Sequence, residues 1–118
     1  MLHDAWRFDP QLWNGDSFHG RYRAWGLGLQ HSLGTADDRG GDRLAAGSKE
    51  QFWGHRGEAY GLLGGMWFDP QRKVGFVFLA GGVGDDPGIH RGTYSSAYSW
   101  EEKIQTAIID EIDRVTHQ

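Results

Sequence analysis

The sequence contains no cysteine, only three prolines, and no apolar run long enough to cross a membrane. Without cysteine the chain can form no disulfide, no zinc–thiolate site and no cysteine nucleophile. The longest strongly apolar run, Val74 to Ala80, is far shorter than the roughly 20 residues of a membrane-spanning helix. The first residues, Met1 to Trp6, are too polar for a signal peptide. These absences predict a soluble chain with no membrane span, and they leave open whether its compartment is cytoplasmic or periplasmic.

Basic residues and the common chemical motifs are also scarce. There are 12 Lys and Arg against 16 Asp and Glu, so a nucleic acid is not an expected partner. The sequence has no P-loop, and Gly26-Leu27-Gly28 lacks the third glycine of a dinucleotide-binding turn. The histidines do not have zinc-site spacing, and the acidic run from Asp37 to Asp42 lacks the closing glutamate of a calcium loop. Neither G-x-S-x-G nor S-x-x-K occurs. We therefore predict no cofactor, no metal and no catalytic residue.

Glycine and aromatic residues, by contrast, are abundant. There are 19 glycines, six Trp, six Phe and four Tyr among 118 residues. A chain of this length fits one domain, and its aromatic side chains can bury enough area for a core. We predict a single domain over 1–118, with an irregular aromatic segment at 1–20, a sheet within 22–80 and a helix at 99–117.

Strand and helix patterns define the expected architecture. Residues 22–31, 59–68 and 74–80 are predicted strands, and the turn at 69–73 joins the last two into an antiparallel hairpin. The last strand is expected to be buried on both faces. Ser99 is the predicted N-cap of the helix, with Glu102 completing a capping box. The helix would cover the sheet with a stripe of Ile104, Ile108, Ile112 and Val115. The predicted class is α+β: an antiparallel sheet of three to five strands with a C-terminal helix on one face.

Four features occur in a particular order along the chain. They are the Y-R-A-W-G-L-G-L-Q segment at 22–30, the H-x-G motif at 55–57, the D-P hairpin at 68–82, and the terminal helix. In this order they resemble the C-terminal part of the serine β-lactamase and penicillin-binding-protein superfamily. The nearest branch is that of class C β-lactamases, D-Ala-D-Ala carboxypeptidases and esterases. The resemblance covers about residues 20–117 and implies the sheet half of a β-lactamase-like fold.

The resemblance also implies a role for the H-x-G motif. In that family the strand carrying this motif borders the active site, so His55 would donate to a substrate carboxylate. Gly57 would let the substrate lie against the strand, and Arg56 would be the middle residue. The family's nucleophile motif, S-x-x-K, belongs to a helical lobe and is absent from this sequence. His55, Arg56 and Gly57 are therefore predicted to be a substrate-binding remnant.

Without a helical lobe, one face of the predicted sheet needs another cover. Residues 1–20, a second copy of the chain or another protein could supply it, and Trp53, Arg56 and Tyr60 have the residue types that anchor interfaces. We therefore predict a non-catalytic protein-binding or regulatory domain, for example an inhibitor or immunity-type partner of a hydrolase or a toxin. The alternative is the C-terminal piece of a split or truncated serine hydrolase, active only with an S-x-x-K lobe. A homodimer through a sheet edge predicted at Trp53–Gly61 is left open.

Overall fold

The computed structural model describes residues 2–37, 40–46, 51–82, 92–95 and 98–117. The elements are β1 (Trp6–Arg7), β2 (Ala24–Trp25), β3 (Gln30–Ser32), β4 (Ala36–Asp37), β5 (Gly40–Gly41), β6 (Phe52–Ala59), β7 (Leu62–Asp69), β8 (Val74–Ala80) and α1 (Ser99–Thr116). In the described residues, six strands form an antiparallel sheet in the order β1-β2-β3-β6-β7-β8, and β4 pairs with β5. The α+β class with an antiparallel sheet is confirmed. The predicted count of three to five strands is wrong, because the large sheet has six.

One of the six strands, β1, lies in the segment 1–20 that was predicted to be irregular, and it pairs with β2. Two turns that the sequence patterns did not indicate account for the other differences. The segment predicted as one strand, 22–31, reverses direction, and Gly26 N donates to Leu29 O at 2.8 Å. Gly28 has a φ of 86°, which glycine adopts without steric strain. A second turn lies at Tyr60–Gly61, where both residues have positive φ, as in type I′ hairpins. This turn ends β6 and starts β7, so the predicted strand at 59–68 is in fact parts of two.

The hairpin between β7 and β8 agrees with its sequence pattern. Strand β8 spans Val74–Ala80, as predicted, and the turn before it lies at residues 70–73. Asp69 stabilises this turn, since its Oδ1 accepts hydrogen bonds from Gln71 N and Arg72 N at 2.8 and 3.2 Å. The described part of the chain contains no helix with the length and hydropathy to span a membrane.

The core lies between α1 and one face of the sheet. Its largest buried side chains include Phe52, Leu63 and Trp67 from the strands and Ile109 from the helix. The helix residues that are fully buried follow the spacing i, i+4, i+8, namely Glu101, Gln105 and Ile109. The predicted stripe of Ile104, Ile108 and Ile112 runs beside them and is only partly buried, and Val115 is 50% exposed. The prediction that Val115 is buried is therefore wrong. The buried face of α1 is centred on residues 105 and 109, each one position after the predicted residues 104 and 108.

The start of α1 also differs from its prediction. Ser99 is the first helical residue and Tyr98 is the N-cap, so the predicted cap at Ser99 is wrong by one position. Glu101 Oε2 accepts a hydrogen bond from Tyr98 N at 3.3 Å. Glu102 instead binds the preceding loop, accepting from Thr93 N at 2.9 Å. Both glutamates are buried, and both fix how the chain enters the helix.

Candidate functional site

The face of the sheet opposite α1 carries large apolar side chains that are exposed to solvent. On β8, Phe76 and Phe78 point to the helix, whereas Val77 and Leu79 are 62% and 72% exposed on the other side. The expectation that β8 is buried on both faces is therefore wrong. The strand register places Met66 directly opposite Val77, and such pairs share a face. This face is the candidate site.

We call this surface the open face and define it by seven residues of β6, β7 and β8. They are His55, Gly57, Leu62, Gly64, Met66, Val77 and Leu79. Leu62 and Met66 are 49% and 53% exposed. On this face, β7 and β8 contribute no charged side chain. The part of the open face formed by β7 and β8 is thus neutral and apolar, and β6 adds His55 and Gly57 beside it.

A shallow groove runs over the open face. Its volume is about 330 Å³, and its lining includes His55, Gly57 and Met66. A Cβ on Gly57 would meet no atom within 4 Å, so the groove is open above this position. A Cβ on Gly64 would instead lie 2.8 Å from Cδ2 of Leu79, so Leu79 packs directly over that glycine. Small residues therefore leave room for an occupant above β6, while leucine and methionine form its walls.

His55 lies on the open face, with one ring nitrogen occupied. Its Nε2 is 2.5 Å from the carbonyl oxygen of Gly28, in the β2–β3 turn. A carbonyl only accepts, so Nε2 carries the proton and donates it there. Nδ1 of a neutral His55 is then an acceptor, and only the imidazolium form could donate from it to an anion. The predicted contact with a carboxylate therefore requires the protonated ring.

Arg56 faces the other way, into the core. Its Nη1 donates to Oε1 of Glu101 at 3.0 Å, and the two side chains are 3% and 1% exposed. Arg21 Nη2 lies 4.0 Å from the same oxygen. Burial lowers the pKa of Arg56, and the charge of Glu101 opposes this shift. Arg56 is therefore an internal link between β6 and α1 rather than the exposed interface anchor that the sequence predicts.

Several buried polar atoms around this ion pair have no hydrogen-bond partner in the described structure. They include Nε and Nη2 of Arg56 and both side-chain polar atoms of Gln105. A buried polar group without a partner typically costs about 1–3 kcal/mol. The ion pair is thus part of a buried polar region of the core.

The other two predicted anchors are placed differently from each other. Trp53 is only 7% exposed, and its ring stacks on that of His31 at 3.9 Å. His31 Nδ1 is in turn 2.7 Å from Oδ1 of Asp4, so the N-terminal segment contacts this end of the sheet. Tyr60 is fully exposed in the β6–β7 turn. Of the three, only Tyr60 offers a side chain to a partner, at one end of the open face. The segment Trp53–Gly61 is also not the sheet edge that the sequence predicts, because β6 pairs with β3 on one side and with β7 on the other.

The site prediction missed the apolar residues of the open face itself. Val77 and Leu79 stand in a run, Val74 to Ala80, in which every residue is glycine or apolar. Such a run predicts a strand covered on both faces, so the pattern gives no sign of which side lacks a cover. The one signal for an uncovered sheet face was the resemblance of the sequence to a lobe that normally packs on another lobe.

No family model, no curated protein and no solved structure matches this chain. The likeness to β-lactamase-like hydrolases therefore depends on the ordered sequence features, and what it implies about function is carried forward as a proposal.

Proposed function

We propose that the chain is a non-catalytic protein-binding or regulatory domain that docks on another protein through its open face. The supporting observation is the group of four exposed apolar side chains on β7 and β8: Leu62, Met66, Val77 and Leu79. Contiguous apolar patches on soluble proteins usually mark interaction sites, because leaving them in water forgoes hydrophobic stabilisation. A single exposed leucine needs no such explanation, but four exposed apolar side chains on adjacent strands do.

The partner that fits this surface is an apolar helical layer. Helix α1 covers one face of the sheet, and an apolar sheet face is buried by packing against a further element of secondary structure. The open face is neutral on β7 and β8, so it favours apolar over charged contacts. Resemblance to the substrate-binding lobe of β-lactamase-like hydrolases agrees with this partner, because that lobe packs against a helical one.

Site-specific photo-cross-linking tests this proposal. We expect p-benzoylphenylalanine in place of Leu79 to cross-link a single protein in the source cells. The same probe in place of Leu12, which is 75% exposed against 72% for Leu79, should not capture it. The captured protein, purified, should bind the wild-type chain and lose about tenfold affinity or more for Met66→Glu, since a charge would be buried in the interface.

Two outcomes would contradict the proposal. Equal capture from both probe positions would mean that the open face has no preferred partner. Capture of a second copy of the chain would replace the foreign partner by the homodimer that the sequence leaves open.

A second candidate function has an observation of its own in favour. His55 and Gly57, the two outer residues of the H-x-G motif, both belong to the open face, whereas Arg56 does not. A lobe that covered this face would therefore also cover His55 and Gly57. In this alternative the chain is the C-terminal piece of a split or truncated serine hydrolase, and the partner supplies the S-x-x-K nucleophile.

The isolated chain should not hydrolyse a chromogenic cephalosporin or a p-nitrophenyl ester above background, because its sequence has no S-x-x-K motif to supply an activated nucleophile. The assay is then repeated with the purified protein that the cross-linking experiment identified. A non-catalytic domain leaves the rate unchanged, whereas a split hydrolase gains turnover that His55→Ala reduces. Turnover by the repurified chain alone, lost in His55→Ala, would contradict both functions.

A further inference from the structure

A second cavity lies away from the open face, in the aromatic segment that precedes β2. Its volume is about 450 Å³, and the rings of Phe8, Trp13 and Phe18 form much of its lining. Phe8 and Trp13 meet edge to face, with ring centroids 5.6 Å apart. This size is within the range of roughly 300–1,000 Å³ that is usual for small-molecule sites. We call it the N-terminal cavity.

The rings of the N-terminal cavity are exposed although the backbone that holds them is strained. Trp13 and Phe18 are 74% and 57% exposed. Both have a φ of 50°, and the neighbouring lining residue His19 has a φ of 60°. Bulky residues rarely adopt this left-handed conformation. The two rings pack edge to face on Phe8 and Tyr22 but stay exposed, and strained backbone around exposed groups is typical of binding sites.

Short-range hydrogen bonds keep this segment in its strained form. Asp9 accepts from Trp13 N through its main-chain oxygen at 2.9 Å. Asp16 Oδ1 accepts from Phe18 N at 2.7 Å, and Ser17 O accepts from Tyr22 N at 2.9 Å. The conformation is thus fixed before any ligand arrives, which lowers the entropy that binding would lose.

Charges of both signs line the same cavity. Asp16 contributes a carboxylate and Arg23 a guanidinium. The Nε of Arg23 donates to Gly20 O at 3.1 Å, which holds the guanidinium at the cavity wall. A Cβ on Gly20 would lie 2.5 Å from Nη2 of Arg23, so the absence of a side chain there lets the guanidinium approach. A ligand with one charge would meet an unfavourable group, whereas a zwitterion can match both.

We propose that the N-terminal cavity binds a free aromatic α-amino acid. Its ring packs against Trp13 and Phe18, its carboxylate faces Arg23, and its ammonium group faces Asp16. This site is independent of the open face and of the proposed docking function.

Isothermal titration calorimetry on the full chain tests the proposal with L-phenylalanine and three relatives. 3-Phenylpropionate lacks the ammonium group, phenethylamine lacks the carboxylate, and N-acetyl-L-phenylalaninamide lacks both charges. We expect L-phenylalanine to bind about tenfold more tightly than each of the three. Tight binding of the uncharged amide would overturn the proposal, because the cavity would then recognise an aromatic side chain within a peptide.

Variants separate the contributions of the lining residues. Trp13→Ala should weaken binding of L-phenylalanine by about tenfold, and Trp13→Phe should retain most of it. Asp16→Asn, which keeps an acceptor oxygen for Phe18 N, should abolish the preference over 3-phenylpropionate. Arg23→Gln should abolish the preference over phenethylamine.

The matched control is Leu27→Ala, at a residue that is 73% exposed in the β2–β3 turn, outside the cavity. It should bind L-phenylalanine as the wild type does. Absence of binding to folded wild-type chain at millimolar ligand, or an unchanged affinity in Trp13→Ala, would overturn the proposal.

Discussion

Replacing Ile109 by aspartate should unfold the chain or leave it with little stability. Ile109 is 1% exposed and lies on the α1 face that meets Phe52, Leu63 and Trp67. The substitution removes a large apolar side chain and leaves a carboxylate in the core without a partner. Loss of the apolar contact alone typically costs about 2–5 kcal/mol, and the buried polar group adds to it. Small domains have a total stability of only about 5–15 kcal/mol.

Two further substitutions on α1 serve as comparisons. Ile108 is only partly buried, so Ile108→Asp should lower the free energy of unfolding less than Ile109→Asp does. Val115 is 50% exposed, so Val115→Asp should change the urea midpoint little. Urea denaturation followed by far-UV circular dichroism measures all three. If Ile108→Asp were more damaging than Ile109→Asp, the helix would be rotated by about 100° from the orientation described, since each residue turns an α-helix by that angle.

The sequence pattern could not predict which residues of α1 lie at the centre of its buried face, and the reason is physical. The isoleucines at 104, 108 and 112 form the more obvious apolar pattern, and they do pack at the border of the core. The central positions near the helix start are instead Glu101 and Gln105, whose polar side chains argue for solvent. Tertiary contacts outweigh this local signal, because Arg56 supplies a buried partner for Glu101.

Strand β8 could be predicted from its own residues, whereas the turn at Tyr60–Gly61 depends on contacts between distant parts of the chain. The run from Val74 to Ala80 is apolar throughout and follows an Asp-Pro turn, so its bounds could be predicted from local pattern alone. The turn at Tyr60–Gly61 lacks the Asn-Gly or Asp-Gly pair that usually predicts a type I′ hairpin. Such a turn forms because β6 and β7 pair along their whole length, which is a long-range effect.

The candidate site was predictable only in part. Placement of His55 and Gly57 on one face follows from strand alternation once the strand is known. Alternation also puts Arg56 on the opposite face, but it does not say which of the two faces α1 covers. That choice depends on the helix docking, so the identity of the open face came from the structure.

A double-mutant cycle on Arg56 and Glu101 should show strong coupling. Arg56→Met leaves Glu101 buried, with Arg21 Nη2 at 4.0 Å as the remaining guanidinium contact that the structure shows for it. Removing one partner of a buried ion pair typically costs about 3–5 kcal/mol. Glu101→Gln should be destabilising for the same reason, because it leaves a buried guanidinium that lacks its closest carboxylate. Gln at 101 still offers an oxygen to Tyr98 N, so loss of the helix cap does not confuse the result.

The double variant Arg56→Met/Glu101→Gln should be more stable than either single variant. It removes both buried charges together with the unpartnered Nε and Nη2 atoms of Arg56, and replacing buried pairs in this way is often neutral or stabilising. The same cycle on Arg114 and Glu111, whose side chains are 61% and 60% exposed, is the matched control and should show no measurable coupling in urea denaturation. Strictly additive effects at Arg56 and Glu101 would mean that the pair does not link β6 to α1. Strong coupling would instead show that the Arg56–Glu101 pair links β6 to α1 energetically.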